Sequence, residues 1–386
     1  MLTPPTTSKL SELAKLFLKL GTIGFGGPAA HIAMMQEEVV KKRQWLTETQ
    51  FLDLVGATNL IPGPNSTEMA IHIGLLQAGF LGLIIAGISF IFPAFCITSI
   101  FAVIYVKFGS LPAINPLFYG IKPVVLGIIF NAVWRLGKKA VKNRKLLLIS
   151  ITVALLNVKG LNEVIAMLIG GFIGTLWLKN NPPKEQNKSH IFLPLILAQS
   201  MNPVTSVSLW QLGLFFLKVG SVLFGGGYLL IAFLQGELVD QYHWLTQQQL
   251  LDSIAIGQFT PGPILSTATF IGYIIAGFPG AIIATIGIFL PSFIFVSLLN
   301  KLIKFLRNSD IASAFLDAVN VSAIALMTVT IFNLSKTTIT PNFPQIDIIA
   351  GIIAIAASFC AIVLQINSIW LILAGAIIGY LKFMLF

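Results

Sequence analysis

Apolar residues occur in two kinds of run along this chain. The long runs are sufficient for a helix to cross the ~30 Å hydrocarbon core of a bilayer at ~1.5 Å per residue. They predict membrane spans at residues 80–106, 113–134, 278–300, 311–333, 346–364 and 367–386. The runs at 146–158 and 162–178 are shorter, and two interpretations stay open for them: a tilted pair of crossing helices, or helices that are only partly embedded.

Glycine and proline interrupt the other apolar runs. Apolar residues 13–25 stop at a Gly-Gly-Pro break (26–28) and then resume, and the next run stops at a Pro-Gly-Pro break (62–64). The pieces between these breaks are too short to cross a bilayer alone. They predict discontinuous or re-entrant helices, which membrane proteins tolerate only where protein or water covers the open backbone.

Both breaks recur in the second half of the chain. The stretch FLKLGTIGFGGP at Phe17–Pro28 corresponds to FLKVGSVLFGGG at Phe216–Gly227, and a second Pro-Gly-Pro occupies 261–263. A Thr-x-x-Gln capping box, starting at Thr47 and at Thr246, defines the start of the helix before each Pro-Gly-Pro. Two copies of one membrane unit with breaks at matched positions are typical of a secondary transporter.

The polar, proline-containing stretch KNNPPKEQNKSH (179–190) separates the two copies. We therefore predict a first membrane repeat at 1–178, a linker at 179–207 and a second membrane repeat at 208–386.

Composition agrees with a membrane protein, because 56% of the residues are hydrophobic and only 10% are charged. The net charge of +10 is concentrated in short stretches beside apolar runs, which is typical of cytoplasmic loops and leaves no exposed domain for nucleic acid.

Equivalent loops of the two repeats differ in charge. A basic loop (135–145) follows the 113–134 span, whereas only Lys336 follows the 311–333 span. Such a difference in basic charge between equivalent loops indicates opposite orientation in the membrane. The fold class predicted is an all-α polytopic membrane protein of two homologous inverted repeats with Gly/Pro-broken helices.

Two lysines occupy one repeat position inside the broken apolar runs, Lys19 and Lys218. A lysine within a membrane span costs on the order of 3 kcal/mol and usually faces a cavity or a partner. In the functional interpretation, each lysine supplies a positive charge to a bound anion. The alternative is that both side chains extend to the membrane surface.

New helices begin after the breaks, and their first amides are unpaired donors at the positive end of the helix dipole. The predicted substrate-binding residues at these starts are Gly26, Gly27, Asn65, Ser66, Thr67, Gly225, Gly226, Ser266 and Thr267. Facing helix starts would make a cradle for an oxyanion. The alternative to anion binding is that Asn65 and Ser66 only cap their helix, a role that favours the same residue types.

Glu68 and His72 lie four residues apart on one helix face and have no counterpart in the second repeat. They are either a protonatable pair that couples transport to protons, or a capping box from Asn65 to Glu68 with His72 packed nearby. The matched acids Glu38 and Glu237 are expected to be structural, each paired with a lysine.

No motif for catalysis, metal binding or a nucleotide is present in the sequence, so no enzyme activity and no cofactor are predicted. The two cysteines, Cys96 and Cys360, both lie inside apolar runs and indicate neither a disulfide framework nor a metal site.

The stretches FGGP, QEEVV, WLT, NLIPGPNSTEMAIHIG, AGF and QFTPGPILSTATFIGY resemble the chromate ion transporter family, in its long form of two fused halves. The resemblance covers the chain from about Leu13 to Phe386. It implies efflux of chromate across the bacterial plasma membrane, chromate resistance, and halves in opposite orientation. The residues that match the family motifs are Gly26, Gly27, Pro62, Gly63, Pro64, Asn65, Glu68, Gly225, Gly226, Pro261, Gly262 and Pro263.

The partners implied are the lipid bilayer and a small inorganic oxyanion, chromate or the chemically similar sulfate. Two alternatives stay open, a carrier of sulfate or another oxyanion and a membrane sensor or scaffold that transports nothing. A homodimer also stays open as the assembly.

Overall fold

The computed structural model describes residues 7–109, 115–178, 207–224, 227–299, 309–340 and 346–385. These ranges are helical almost throughout, so the predicted all-α membrane fold is confirmed. Most of the predicted linker lies outside the described residues, as do Gly225 and Gly226.

The first repeat contains α1 (Thr7–Ile23), α2 (Gly27–Gln36), α3 (Glu48–Thr58), α4 (Asn65–Phe108), α5 (Asn115–Ala140), α6 (Arg144–Val158) and α7 (Glu163–Leu178). The second contains α8 (Leu209–Val222), α9 (Leu230–Phe233), α10 (Gln247–Phe259), α11 (Thr267–Leu299), α12 (Asp310–Ile339), α13 (Ile348–Ile362) and α14 (Ser368–Leu385). Short 3₁₀ turns precede α9 (Gly227–Leu229) and α11 (Ile264–Ser266). The π-helical turns Glu37–Lys42 and Leu234–Gln241 extend α2 and α9.

Five helices within the described ranges are long and apolar enough to cross a membrane: α4, α5, α11, α12 and α14. The span predicted at 346–364 is wrong in length, because α13 has only 15 residues. Asp347 caps its start, and beyond its end Gln365 adopts a left-handed φ of 53° that no α-helix can contain.

A sharp reversal lies inside both α4 and α11. Ala78 (φ −145°, ψ 27°) and Gly79 (φ 61°, ψ −150°) break α4, and the equivalent pair in α11 has nearly the same angles. The chain doubles back there, so that a Cβ on Gly74 would overlap the carbonyl of Gly82. Each of these long helices is therefore a short arm followed by a full span.

The broken helices form re-entrant hairpins. Gln77, at the end of the short arm, donates a side-chain hydrogen bond of 3.2 Å to the carbonyl of Trp45, just before α3. Both arms of this hairpin therefore start and end at one side, with Pro-Gly-Pro at the tip. The Thr47 capping box that starts α3 is confirmed. Arg43 Nε, beyond the end of α2, lies 3.4 Å from Glu12 Oε1 near the start of α1. Helices α1 and α2 therefore form a second hairpin.

The two repeats exchange their last helix pairs. Helix α5 packs against α13 and α14 of the second repeat, and α12 packs against α6 and α7 of the first. Glycines allow both close approaches: Gly120 of α5 meets the backbone of Gly375 and Gly379, and Gly174 of α7 meets Ala318 of α12. Small residues permit this backbone contact in membrane helices, where burial from water supplies no driving force.

The repeats run in opposite directions. Lys142, after the end of α5, pairs with Asp317 near the start of α12 (2.8 Å). Asp347 accepts a hydrogen bond from Tyr119 at the start of α5 (2.7 Å) and donates its backbone N–H to Ile339 at the end of α12 (2.7 Å). Helices α5 and α12 are therefore antiparallel, and the predicted inverted repeat is confirmed. We call the side that holds Lys142 the basic end.

Inversion predicts that equivalent loops face opposite sides of the membrane. Cysteines introduced singly at Ala140 and at Lys336, with Cys96 and Cys360 replaced by alanine, should react with an impermeant thiol reagent from opposite sides of oriented vesicles. Labelling of both from the same side would contradict the inversion.

The glycine contact between α5 and α14 predicts a selective loss of stability. Gly120→Ala should lower the unfolding temperature of the purified protein, because overpacking a close helix contact costs about 1–3 kcal/mol. Gly56→Ala is the matched control, since its added Cβ meets no atom within 4 Å and alanine favours the helix. Equal stability of the two variants would contradict the exchange of helices.

Candidate functional site

The tips of the re-entrant hairpins meet through two reciprocal backbone hydrogen bonds. Gly63 N donates to the carbonyl of Leu223 (2.8 Å), and Gly262 N donates to the carbonyl of Gly24 (2.7 Å). Each bond joins the Pro-Gly-Pro tip of one repeat to the glycine-rich tip of the other. The structure therefore brings each Pro-Gly-Pro tip against the residues that lead into the glycine-rich break of the other repeat.

Only glycine fits the middle of each Pro-Gly-Pro. Gly63 has a φ of 143°, and a Cβ there would overlap a carboxylate oxygen of Glu68 and lie 2.6 Å from Ser292 Oγ. Gly262 has a φ of 90°, and its Cβ would lie 3.0 Å from Ala94 Cβ. These angles and contacts exclude other side chains, which explains why both motifs retain glycine.

A cavity of about 190 Å³ lies beside the tips, toward the basic end. The predicted residues Gly26 and Gly27 line it, together with the second Pro-Gly-Pro tip at Gly262 and Ile264. Its other polar lining residues are Asn131, Arg135, Tyr228, Gln258, Thr260, Gln365, Asn367 and Ser368.

A second cavity of about 1360 Å³ lies on the opposite side of the tips. It follows the last third of α12 (328–333) to Lys336 and reaches Lys218 and Ser221 near the end of α8. Its charged and aromatic lining residues among those described are Glu163, Phe215, Lys218, Asp240, Tyr242, Trp244, Phe332 and Lys336. The tips therefore lie between a small polar cavity and a larger, mainly apolar cavity with charged groups in its wall, toward opposite ends of the molecule.

The two predicted lysines contact matched glutamates. Lys19 Nζ lies 3.0 Å from Glu38 Oε1, and Lys218 pairs with Glu237, which is fully buried. Lys218 also lines the larger cavity. The predicted pairing of both acids with lysine is confirmed, and the π-helical turns that carry the acids occupy equivalent positions.

The predicted hydroxyl and amide groups lie directly behind the Pro-Gly-Pro tips. Ser66, Thr67 and Ser266 are buried, and neither Thr67 Oγ1 nor Ser266 Oγ has a hydrogen-bond partner among the described residues. Thr267 donates to the carbonyl of Ile264 (2.8 Å). Asn65 donates to Asn59 (2.6 Å) and does not cap its helix.

Glu68 and His72 are completely buried. One Glu68 oxygen lies 3.5 Å from Ser292 Oγ, and the other has no partner among the described residues, nor does either ring nitrogen of His72. The alternative capping box from Asn65 to Glu68 is wrong, because Pro64 is the N-cap and no side chain caps the helix. The proton-coupling role stays a prediction.

The sequence does not point to two groups of polar residues that the structure reveals. It places Arg135 in the basic loop, whereas Arg135 lies inside α5 and lines the smaller cavity. Asp252 is buried, accepts a hydrogen bond from Tyr105 (2.8 Å) and lies 3.8 Å from Lys122. Asp53 occupies the position in the first repeat that is equivalent to Asp252 in the second. This recurrence of an acid is the sequence signal that could have identified Asp252.

Comparison with known proteins gives a family profile and several similar chains. The profile described as Chromate transporter matches residues 11–175 and 210–380. A chromate transport protein of Cupriavidus metallidurans is 33% identical over 380 residues, covering 97% of this chain and 93% of that protein. A probable chromate transport protein of Synechococcus elongatus is 34% identical over 321 residues, covering 81% of each chain. An uncharacterized transporter of Methanocaldococcus jannaschii is 30% identical over 381 residues, covering 95% of this chain and 92% of that one. No solved structure matches the chain.

The lysine pairs predict unequal effects of two equivalent substitutions. Lys218→Gln leaves the buried Glu237 uncompensated, which costs on the order of 3 kcal/mol. Lys19→Gln should destabilise less, because Glu38 keeps Lys42 (3.3 Å) and Arg43 as partners.

Thermal unfolding of the purified variants measures both effects. The double substitution Lys218→Gln with Glu237→Gln should recover most of the lost stability, because it removes the uncompensated charge. A double variant as unstable as the sum of the two single ones would show that the pair does not couple.

Proposed function

Because this chain belongs to the chromate transporter family, we propose that it carries chromate, a divalent oxyanion, outward across the plasma membrane by alternating access. Two of the relatives that share most of its length are named for chromate transport, one of them as probable. They are named as transporters, and no relative reported above is named as an enzyme.

One observation carries the proposal: two cavities that carry charged groups lie on opposite sides of the contacts between the hairpin tips of the two repeats. Alternating access needs a central site that two pseudo-symmetric units expose to one side at a time. The reciprocal bonds of Gly63 and Gly262 are the contacts that rocking of one repeat against the other would exchange. An anion would then pass from the smaller cavity to the larger one.

The charge distribution supports the direction. The positive-inside rule assigns the basic end to the cytoplasm, so the smaller cavity is the inner one. Moving a dianion out of a negative interior is favoured by roughly 4.6 kcal/mol at ~100 mV. Uptake against this potential would require a coupled cation or proton, for which Glu68 and His72 are the proposed carriers.

The anion contacts proposed are the helix starts behind the tips and the two lysines. Lys218 lies on the outer cavity, where an arriving anion can compete with Glu237 for its ammonium group. Lys19 is the matched group in the first repeat, exposed over about half of its side chain. Sulfate has the same charge and shape as chromate and is the competing substrate.

Flux measurements on the purified protein in liposomes test this function. Labelled chromate should leave vesicles faster when a potassium gradient with valinomycin makes the interior negative, and reversal of the potential should slow it. Excess sulfate inside the vesicles measures selectivity between the two anions.

Empty liposomes and liposomes with Gly63→Ala protein are the controls, because the added Cβ would collide with Glu68 and Ser292 and strain the tip. A rate equal to that of empty liposomes would contradict transport. Flux of sulfate without chromate would identify a sulfate carrier instead.

A further inference from the structure

The smaller cavity differs from the larger one in the sign of its charge. Among the described residues that line it, Arg135 is the only ionised side chain and none carries a carboxylate. Glu163 and Asp240 line the larger cavity together with two lysines, so its charges are mixed. A space with one cation and no acid is electrostatically suited to an anion.

Arg135 has no carboxylate partner among the described residues. Lys19, Lys122, Lys142 and Lys218 all lie within ion-pair distance of an acid. A guanidinium is always charged and presents a fork of donors that matches an oxyanion. Arg135 is therefore available to a ligand without breaking an existing ion pair.

Neutral groups with unused hydrogen-bonding capacity surround the same space. Within the described part of the chain, Gln258 Nε2 is buried beside Tyr228 without a hydrogen bond of good geometry, and Asn131 Oδ1 has no partner, so its amide can rotate to present a donor. Gly26 and Gly27, at the start of the ten-residue α2, line the wall. The amides and dipole of a helix start favour a negative ligand.

The volume suits one small ion. About 190 Å³ corresponds to roughly six water molecules at ~30 Å³ each. This accommodates one tetrahedral ion of five heavy atoms with a little water. A nucleotide or an organic anion of drug size needs several hundred Å³.

The site exists in one copy although the backbone is repeated. Helix α12, the counterpart of α5, carries a single basic residue, Lys336, in its last turn. Arg135 lies more than one turn inside α5, at the level of the second Pro-Gly-Pro tip.

We propose that this cavity binds the tetrahedral dianion as it enters from the basic end, and that Arg135 supplies the positive charge that holds it. This inference rests on the proposed function for the identity of the anion. It adds a loading site, distinct from the two lysines, on the inner side of the tips.

Transport kinetics provide the first test. In liposomes, Arg135→Gln should raise the KM for chromate at the basic end by about tenfold or more, because a charge-assisted contact is lost. Arg135→Lys should be intermediate, since it keeps the charge but not the fork. Lys139→Gln, one turn further along α5 and outside the cavity lining, is the matched control and should stay within about twofold of the parent KM.

A binding assay that needs no transport provides the second test. Ser368 lines the cavity, and Ser368→Cys in a protein with Cys96→Ala and Cys360→Ala gives one reactive thiol. Sulfate should slow the reaction of this thiol with a methanethiosulfonate reagent, and Arg135→Gln should abolish the protection. Sulfate is the probe because chromate itself oxidises thiols.

The two assays separate the site from the function. Protection that depends on Arg135, in a protein that transports no chromate, would keep the site and reject the proposed function. A folded Arg135→Gln protein with the parent KM and the parent protection would overturn the site and leave the function standing. The unfolding temperature of each variant shows that it is folded.

Discussion

The structure depends on a single constraint: backbone opened inside a membrane must find partners within the protein. Each break opens N–H and C=O groups within the membrane-spanning part of the protein, and such a group left unpaired in hydrocarbon costs several kcal/mol. Gly63 N and Gly262 N meet this demand by bonding carbonyls of the opposite repeat. Neither repeat can satisfy its own tips in this way, so the requirement that stabilises the breaks also joins the two halves.

Local features were predictable because their causes are local. Glycine and proline at 26–28 and 62–64 indicated broken helices, and Thr47 with Gln50 indicated where α3 begins. The lysines were recognised as costly, and their pairing with glutamate followed from two matched positions. The length of α13 was not predictable in this way, because the left-handed Gln365 is only one of many residues able to end a helix.

Long-range contacts were beyond the sequence. Arg135 acquires its surroundings from Gly26, Gln258 and the loop after α13, which are more than one hundred residues away in either direction. The exchange of helix pairs likewise depends on which glycine-containing helix faces pack together. The sequence around Gly120 does not indicate that Gly375 is its neighbour. The repeat shows that two units share a fold, whereas it does not show which helices pack across them. Their backbones agree to within a few degrees at Ala78 and Ala276. In the same register, Glu68 in one repeat corresponds to Ser266 in the other.

The exchanged helices have a consequence for how the protein is made. Ribosomes add about 5–20 residues per second, so roughly 250 residues of synthesis, or about 10–50 s, separate Gly120 from Gly375. During that interval the glycine face of α5 has no partner within the nascent chain, and the first repeat is inserted but unfinished. Lipid or the insertion machinery must cover this surface until the last helix emerges. Truncation shortly before residue 368 would therefore leave a defect some 250 residues upstream, in a repeat whose own sequence is intact.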